Sequence, residues 1–415
     1  MMTMTAISMT RGGGNIGWLG LDDTDSLQGG CTTEVLFHLI QALPEHVRAG
    51  QTRLVRLWPF AQQRTRGNAA VAVELNTEDE QGLLVFLEHY WRDCILPLKG
   101  IVQTSRHNDR EQYPSDPGMV YFTESFGDYA IYTEGLRREL SLEDLPTPTK
   151  SWGGHGRIGA TLAVLWPAEE STFEAIAWRE PSTSSLRQLD KRAIEHIDQM
   201  KGTFLCRDDR LGNSLLAPRG VSPVLFGIRA WTRDVAIEAL QVLLDAPNTE
   251  PVIGSLVFET NQATNDHLDH SIVDRVERIE VLRGGHTVIH ASEQRFLAFK
   301  ESDQIATISQ QLQQGDVVEC KGLLAPDQSI HVEFMRIREL VPHKHRPACP
   351  TCDKSMTSMG KHQGLRCKKC GLKMDDRWIE TPRRLPVNQW IQPPASSRRH
   401  LAKPLDNAPS IQNNL

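Results

Sequence analysis

Three carboxylates stand within four positions at Asp22, Asp23 and Asp25, inside the run Gly20-Leu21-Asp22-Asp23-Thr24-Asp25-Ser26, and two hydroxyls, Thr32 and Thr33, follow Gly29-Gly30-Cys31. Hard Mg²⁺ takes a few carboxylate oxygens together with phosphate oxygens, so these residue types read as a metal and phosphate site. The competing reading is a polar turn, which Asp, Thr, Ser and Gly favour on local grounds. Ile16-Gly17-Trp18-Leu19 predicts a short buried strand that ends at the acids, where open sheets place their chemistry. Thr32 opens an apolar-periodic run, Val35-Leu36-Phe37 with Leu39-Ile40, that predicts a helix, and a helix N-terminus beside a cation favours phosphate. Cys31 adjoins this site, but no histidine stands near it in sequence, and it reads as a packing thiol rather than a nucleophile.

A second constellation is Cys349, Cys352, Cys367 and Cys370, two CxxC knuckles separated by 14 residues. Such spacing brings four thiolates into a tetrahedron, and a closed four-cysteine shell implies structural Zn²⁺. Arg366, Lys368 and Lys369 lie in or beside the second knuckle, placed to reach RNA phosphates. The wider charge distribution agrees. Residues 343–404 hold 14 Lys+Arg, Arg398 and Arg399 among them, against 4 Asp+Glu; that stretch is +10 and leaves −16 on the rest of a chain whose total is −6. Such separation is expected where the C-terminal part meets a phosphate backbone.

At 415 residues and 46.7 kDa the chain is long enough for two to four domains, and its apolar content is ordinary. No apolar run approaches the roughly 20 residues that span a bilayer. Residues 1–14 lack the apolar stretch of a secretory signal and read as a flexible extension of a cytoplasmic protein. Residues 15–150 mix strands such as Ala69–Val73 with helices such as that through Leu83–Leu87, an α/β pattern, and their Arg64-Thr65-Arg66-Gly67-Asn68 loop suits a triphosphate or RNA phosphate. Residues 151–268 open with Gly153-Gly154-His155-Gly156-Arg157-Ile158-Gly159, a formal GxGxxG. Its upstream neighbour, Pro146–Lys150, reads as a linker rather than a strand, so helix capping or close packing is the preferred explanation. Strand signals at Phe173–Trp178 and Val224–Ala230 alternate with helical spacing over Leu186–Met200 and Val235–Leu244, which fits a ferredoxin-like arrangement. Thr260-Asn261-Gln262 then offers hydroxyl and amide groups, and Asp266 a partner for a cation. Strand runs at 276–282, 286–292, 317–320 and 330–340, with room for a fifth, predict an OB-fold barrel over 270–342, commonly a nucleic-acid binder. The ribbon spans 345–373. The basic tail 374–415 carries Trp378 and Trp390 without periodicity and is expected to order on RNA. The fold class is therefore multidomain α+β.

The runs GLDDTDS and GGCTTE, Thr65-Arg66-Gly67-Asn68, Asp116-Pro117-Gly118, Pro223–Arg229, Thr260-Asn261-Gln262, and Pro393-Pro394 with Ser397-Arg398-Arg399-His400-Leu401 fall in one order along nearly the whole chain. In that order they resemble the archaeal tRNA(Ile) 2-agmatinylcytidine synthetase family. Members more often carry Met before the CTT triplet and an aromatic after it, where this chain has Gly30 and Glu34, and the segment around Trp58-Pro59-Phe60 is less polar than the family's. The resemblance implies a kinase-like first domain and an ATP-dependent ligase. Its reaction would join agmatine to C2 of the wobble cytidine of the CAU-anticodon isoleucine tRNA, allowing AUA decoding. It implies Asp22, Asp23 and Asp25 as Mg²⁺ ligands, Thr32 as a self-phosphorylated hydroxyl with Thr33 in reserve, Arg66 as phosphate clamp beside Arg64 and Asn68, and Thr260, Asn261, Gln262 and Asp266 as agmatine candidates. A Walker A motif is absent, the only Gly-Lys pair being Gly360-Lys361. The rival is a noncatalytic protein whose barrel and ribbon bind RNA; a small-molecule kinase leaves the basic tail unexplained.

Overall fold

The computed structural model describes residues 15–25, 30–64, 68–100, 105–107, 110–124, 127–180, 186–208, 210–218 and 222–405. The extension 1–14, Ser26, Gly29 and the clamp residues Thr65, Arg66 and Gly67 lie outside them. The chain forms two compact units, residues 1–269 with 394–415, and residues 270–393.

In the first unit the elements run β1 (Asn15–Asp22), α1 (Thr32–Ala42), β2 (Val47–Arg56), β3 (Ala69–Thr77), α2 (Glu80–Tyr90), a small hairpin β4 (Ser105–His107) and β5 (Arg110–Gln112), β6 (Gly118–Phe122), α3 (Tyr129–Arg137), β7 (Lys150–Gly153), α4 (Arg157–Leu165), β8 (Thr172–Arg179), α5 (Lys191–Gln199), β9 (Val224–Ala230), α6 (Arg233–Leu244) and β10 (Val252–Thr260). Eight strands make one sheet in the order β7-β6-β1-β3-β2-β10-β8-β9. Every pairing is antiparallel except β2 with β10, and strands of the expected domains 15–150 and 151–268 join there and again at β6 with β7, whose residues 151–153 fall in the second of them.

Strand side chains alternate between faces, and here both faces are covered. Leu19, Leu21, Val71, Val73, Met119 and Tyr121 point to a core closed by α1 and α2. Their neighbours Trp18, Ala70, Ala72, Val120 and Phe122 point to a second core closed by α3 and α4. Helices α5 and α6 cover β8 and β9 around Ile194, Ile197, Phe226 and Leu240. Helix starts are set by carboxylates and hydroxyls that accept orphan amides: Asp79 for α2, Asp128 for α3, Asp190 for α5 and Thr232 for α6. Asp190 starts α5 later than the helical spacing from Leu186 suggests, and Leu186 itself is exposed.

The second unit is built on a closed five-stranded barrel, β11 (Ile272–Val281), β12 (Thr287–Ala291), β13 (Arg295–Ala298), β14 (Val317–Leu324) and β15 (Ile330–Glu339), with α7 (Gln304–Ser309) packed on its core. The fifth strand, for which the sequence leaves only room, is β13, four residues long. Beyond the barrel lie β16 (His343–His345), β17 (Thr357–Ser358), β18 (Leu365–Arg366), β19 (Lys373–Met374) and β20 (Ile379–Thr381).

Apolar residues of the tail, where the sequence shows no period, are buried in the described structure. Ile391 exchanges two backbone hydrogen bonds with Met335 of β15 and is buried in the barrel core, whereas Leu401 is buried beside Trp18 and Phe122 in the first unit. Isolated apolar residues at wide spacing show no period, yet each fills a site in a separate core.

Candidate functional site

Asp22 is the last residue of β1, and the chain turns sharply at Asp23, whose φ of +57° lies in the left-handed region that a residue with a Cβ seldom enters. Asp22, Asp23 and Thr24 are buried and Asp25 is half-buried. The turn is fixed from three directions. Asp22 Oδ1 accepts from the Asp23 amide at 2.7 Å, while Asp23 Oδ2 accepts from the Asp116 amide at 3.0 Å and from Gln63 Nε2 at 3.3 Å. Thr24 donates to the Thr32 hydroxyl at 3.2 Å, which ties the strand end to the first turn of α1. Thr33 accepts from the Trp178 indole at 3.2 Å and contacts the Cys31 sulfur at 2.9 Å.

Burial sets the electrostatics of the acidic site. Burial, then the charges of Asp23 and Asp25, push the Asp22 carboxyl well above its ordinary range, and burial likewise raises Asp23 against the Asp116 amide. Asp116 goes the other way: burial is outweighed by a 2.8 Å ion pair with Lys99 and by the His155 amide at 2.8 Å. Burial raises the Cys31 thiol, so it stays protonated, as a packing role requires.

The glycine-rich run 153–159 connects β7 to α4. A strand does precede it, against the linker reading of Pro146–Lys150, but β7 is a short edge strand antiparallel to β6. The glycines serve close packing: a Cβ on Gly118 would meet the Arg157 backbone nitrogen at 1.9 Å, and one on Gly159 would meet Asp22 Oδ2 at 1.9 Å. Helix α4 is thereby seated directly against the acidic strand end.

Two cavities open on this strand end. The smaller, about 40 Å³, is lined by Asp22, Asp23 and His155 together with Gln63, Arg64, Asn68 and Arg138. The larger, about 490 Å³, is lined by Asp25, Thr32 and Thr33, by Arg56, Glu174 and Arg229 from the strands, and by Ser396, Arg398, Arg399 and His400 from the returning tail. Glu174 is buried between Arg56 at 3.6 Å and Arg229 at 3.8 Å and also accepts from Gln262. His400 Nδ1 lies 3.1 Å from Gln262 Oε1, and the positive charge of Arg56, with burial and Arg229, holds its ring well below the usual histidine range.

The predicted residues thus separate into groups. Asp22, Asp23, Asp25, Thr32, Thr33, Arg64 and Asn68 converge on the two cavities. Thr260, Asn261 and Gln262 are fully buried and line neither: Asn261 holds both backbone groups of Arg56 and the Tyr132 hydroxyl, and Tyr132 in turn donates to Asp266 at 2.8 Å. Arg398 and Arg399 stand at the larger cavity with the tail. Asp116, His155, Glu174 and Arg229 carry no role in the sequence reading; the available signal is a charge inside an apolar strand, at Glu174 and Arg229.

In the second unit the four cysteine sulfurs lie within 4.8 Å of one another, close to the ~3.8 Å edge of a tetrahedron with ~2.3 Å zinc–sulfur bonds. Backbone amides of Cys370 and Lys369 pull the Cys367 thiol down while Cys370 and Cys367 push Cys352 up, so the thiols titrate as one interacting set. Arg366, Lys368 and Lys369 are exposed around it. No helix among the described residues is long and apolar enough to cross a membrane.

Fold and site together define a multidomain α+β protein with a buried acid and hydroxyl site on one unit and a four-cysteine ribbon on the other. The sequence matches the TiaS TCKD domain over residues 18–84, the TiaS FLD domain over 154–267 and the TiaS C-terminal zinc ribbon domain over 346–385. It is 31% identical to the isoleucine tRNA 2-agmatinylcytidine synthetase TiaS of Methanopyrus kandleri, across 93% of this chain and 96% of that protein, and 30% identical to that of Archaeoglobus fulgidus, across 94% and 96%. The crystal structure of TiaS in complex with its isoleucine tRNA and ATP superposes with a TM-score of 0.76 at 26% identity, covering 94% of this chain and 97% of that one. The chain belongs to the isoleucine tRNA 2-agmatinylcytidine synthetase TiaS family.

Proposed function

We propose that this protein is an ATP-dependent ligase that conjugates agmatine to C2 of the wobble cytidine of the CAU-anticodon isoleucine tRNA. The observation that carries the reading is the pair of cavities meeting at one acidic strand end. The smaller presents Arg64, Asn68 and Arg138 to a phosphate group at its mouth, and the larger has room for an extruded nucleoside with an amine beside it. A cytosine carbonyl oxygen is a poor leaving group. The reaction therefore transfers a phosphoryl group from ATP to that oxygen; the agmatine amine then forms a bond to C2 and gives up a proton, and the C2–O bond breaks as phosphate leaves.

The like charges of Asp22 and Asp23, buried side by side and raised in pKa, would be relieved by a divalent cation, whereas Asp25 lines the larger cavity and does not gather with them into a three-carboxylate cluster among the described residues. Mg²⁺ bound there would neutralise charge on the transferring phosphates. Thr32, its hydroxyl held by Thr24, is the phosphoryl acceptor among the side chains, and Arg64, with Arg66, clamps phosphate. The buried Thr260-Asn261-Gln262 run positions Arg56 and Glu174 at the larger cavity rather than touching agmatine. The barrel is read as an OB-fold, residues 154–267 as ferredoxin-like and the first domain as kinase-like; barrel and zinc ribbon hold the tRNA while a base leaves its stack.

Nucleoside mass analysis tests this reading. A CAU-anticodon isoleucine tRNA transcript incubated with the protein, Mg²⁺, ATP and agmatine should yield a cytidine heavier by agmatine minus water. Tight tRNA binding with an unmodified cytidine would reduce the protein to an RNA-binding module.

A further inference from the structure

Of the nine tryptophans, all within the described residues, Trp378 alone is exposed, at 56%. It immediately precedes β20, which pairs with β16 in the register His345↔Ile379 and Lys344↔Glu380. The Arg346 guanidinium lies over its ring at 4.0 Å. The Arg346 side chain is only 19% exposed, and its guanidinium is fixed by an ion pair with Asp376 and a 3.3 Å bond to the Arg377 carbonyl. The indole is therefore held in one orientation by a partly buried charge, while more than half of its surface stays in water. An exposed tryptophan forgoes burial worth roughly 1.5–3 kcal/mol for a large apolar side chain. Trp390 makes the contrast: Lys321 and Arg336 both lie over its ring, and it is half-buried against the barrel.

We propose that Trp378, backed by Arg346, is a stacking platform for one unstacked base of the tRNA, so that the ribbon grips a single-stranded nucleotide as well as the duplex backbone. The occupant follows from charge and shape. Residues 346–385 hold 10 Lys+Arg against 4 Asp+Glu, a net +6 that attracts a polyanion and repels a basic peptide. A flat aromatic ring within a cationic surface is the chemistry by which proteins hold unpaired bases without reading their sequence. Exocyclic and ring polar atoms of a base can stay hydrated at its edge while its face covers the indole. The inference rests on the tRNA-binding reading above and names a contact that reading does not supply.

Equilibrium binding of the tRNA transcript to full-length protein across a KCl series, with zinc content measured on each sample, tests the platform. W378A should bind roughly ten-fold or more weakly, within the range of base–aromatic stacking, with an unchanged slope of log K against log salt because the same phosphates remain neutralised. W378F should bind within about three-fold of wild type, since a smaller ring still stacks. Equal binding by W378A and wild type overturns the platform. So does a W378A defect that accompanies loss of zinc or that Phe fails to rescue, since Trp378 would then be a folding residue. Wild-type protein that does not bind the tRNA would instead overturn the proposed function itself.

Discussion

At the residue scale the acidic cluster is a place where folding and function oppose one another. A carboxyl whose native pKa is raised above its unfolded value favours the protonated form when folded. Its charge therefore destabilises the fold at pH above the native pKa, and that cost vanishes as pH falls toward the unfolded value near ~3.9. Asp22 is such a group, through burial and two acidic neighbours. Asp22→Asn keeps an oxygen to accept the Asp23 amide and removes the charge. In Mg²⁺-free buffer at pH 7.5 it should raise the melting temperature, by about 2–4 °C for each kcal/mol relieved. The gap to wild type should close as the pH is lowered toward 4, and modification of tRNA should be abolished. Scanning calorimetry at several pH values decides it; a variant that melts at or below wild type at every pH would mean the native acids are already compensated by protein groups.

At the element scale the decisive contact is α4 against the end of β1, and two glycines with different obstacles make a controlled pair. An added Cβ at Gly118 meets backbone, which cannot swing away, whereas at Gly159 it meets the Asp22 carboxylate, which can. Gly118→Ala should accordingly lower stability by a few kcal/mol, in the upper range of overpacking. Gly159→Ala should cost about 1 kcal/mol or less but at least ten-fold in modification rate, because Asp22 must turn. Denaturant melts and single-turnover assays separate the two, and equal activity in Gly159→Ala would remove Asp22 from the site. This contact also marks what was legible in sequence. The acids, the hydroxyls and the α1 start lie within twelve residues and announce themselves by local pattern, and the cysteine knuckles do so by spacing. The pairing of Asp116 with the Asp23 turn, or of Leu401 with the second core, joins residues 93 or hundreds apart, and no local period encodes it. The GxGxxG run shows the same limit: its glycines were visible, but the atoms that need the space belong to Asp22 and Asp116.

At the scale of the whole molecule the charge is divided, +10 over residues 343–404 and −16 elsewhere, and the four-cysteine cluster organises much of the basic share. Cys349, Leu365 and Cys367 are the buried centre of a module with few apolar side chains of its own. Without a metal, that core is too small to hold β17, β18 and β19 together, because in small zinc modules the binding energy is the folding energy. A Cys367→Ser/Cys370→Ser variant should therefore lose zinc and release Arg366, Lys368 and Lys369 from fixed positions, while the eight-stranded unit keeps its own melting transition. Counterion release then gives a signature distinct from that of Trp378. Each phosphate that the protein ceases to neutralise flattens the slope of log K against log salt by about 0.7–0.9, so the variant should bind tRNA both more weakly and with a slope reduced by the equivalent of roughly one to three phosphates. Slopes that stay parallel between the variant and wild type would show that the ribbon's cations face water, and would shift the electrostatic grip on tRNA to Arg398, Arg399 and the barrel.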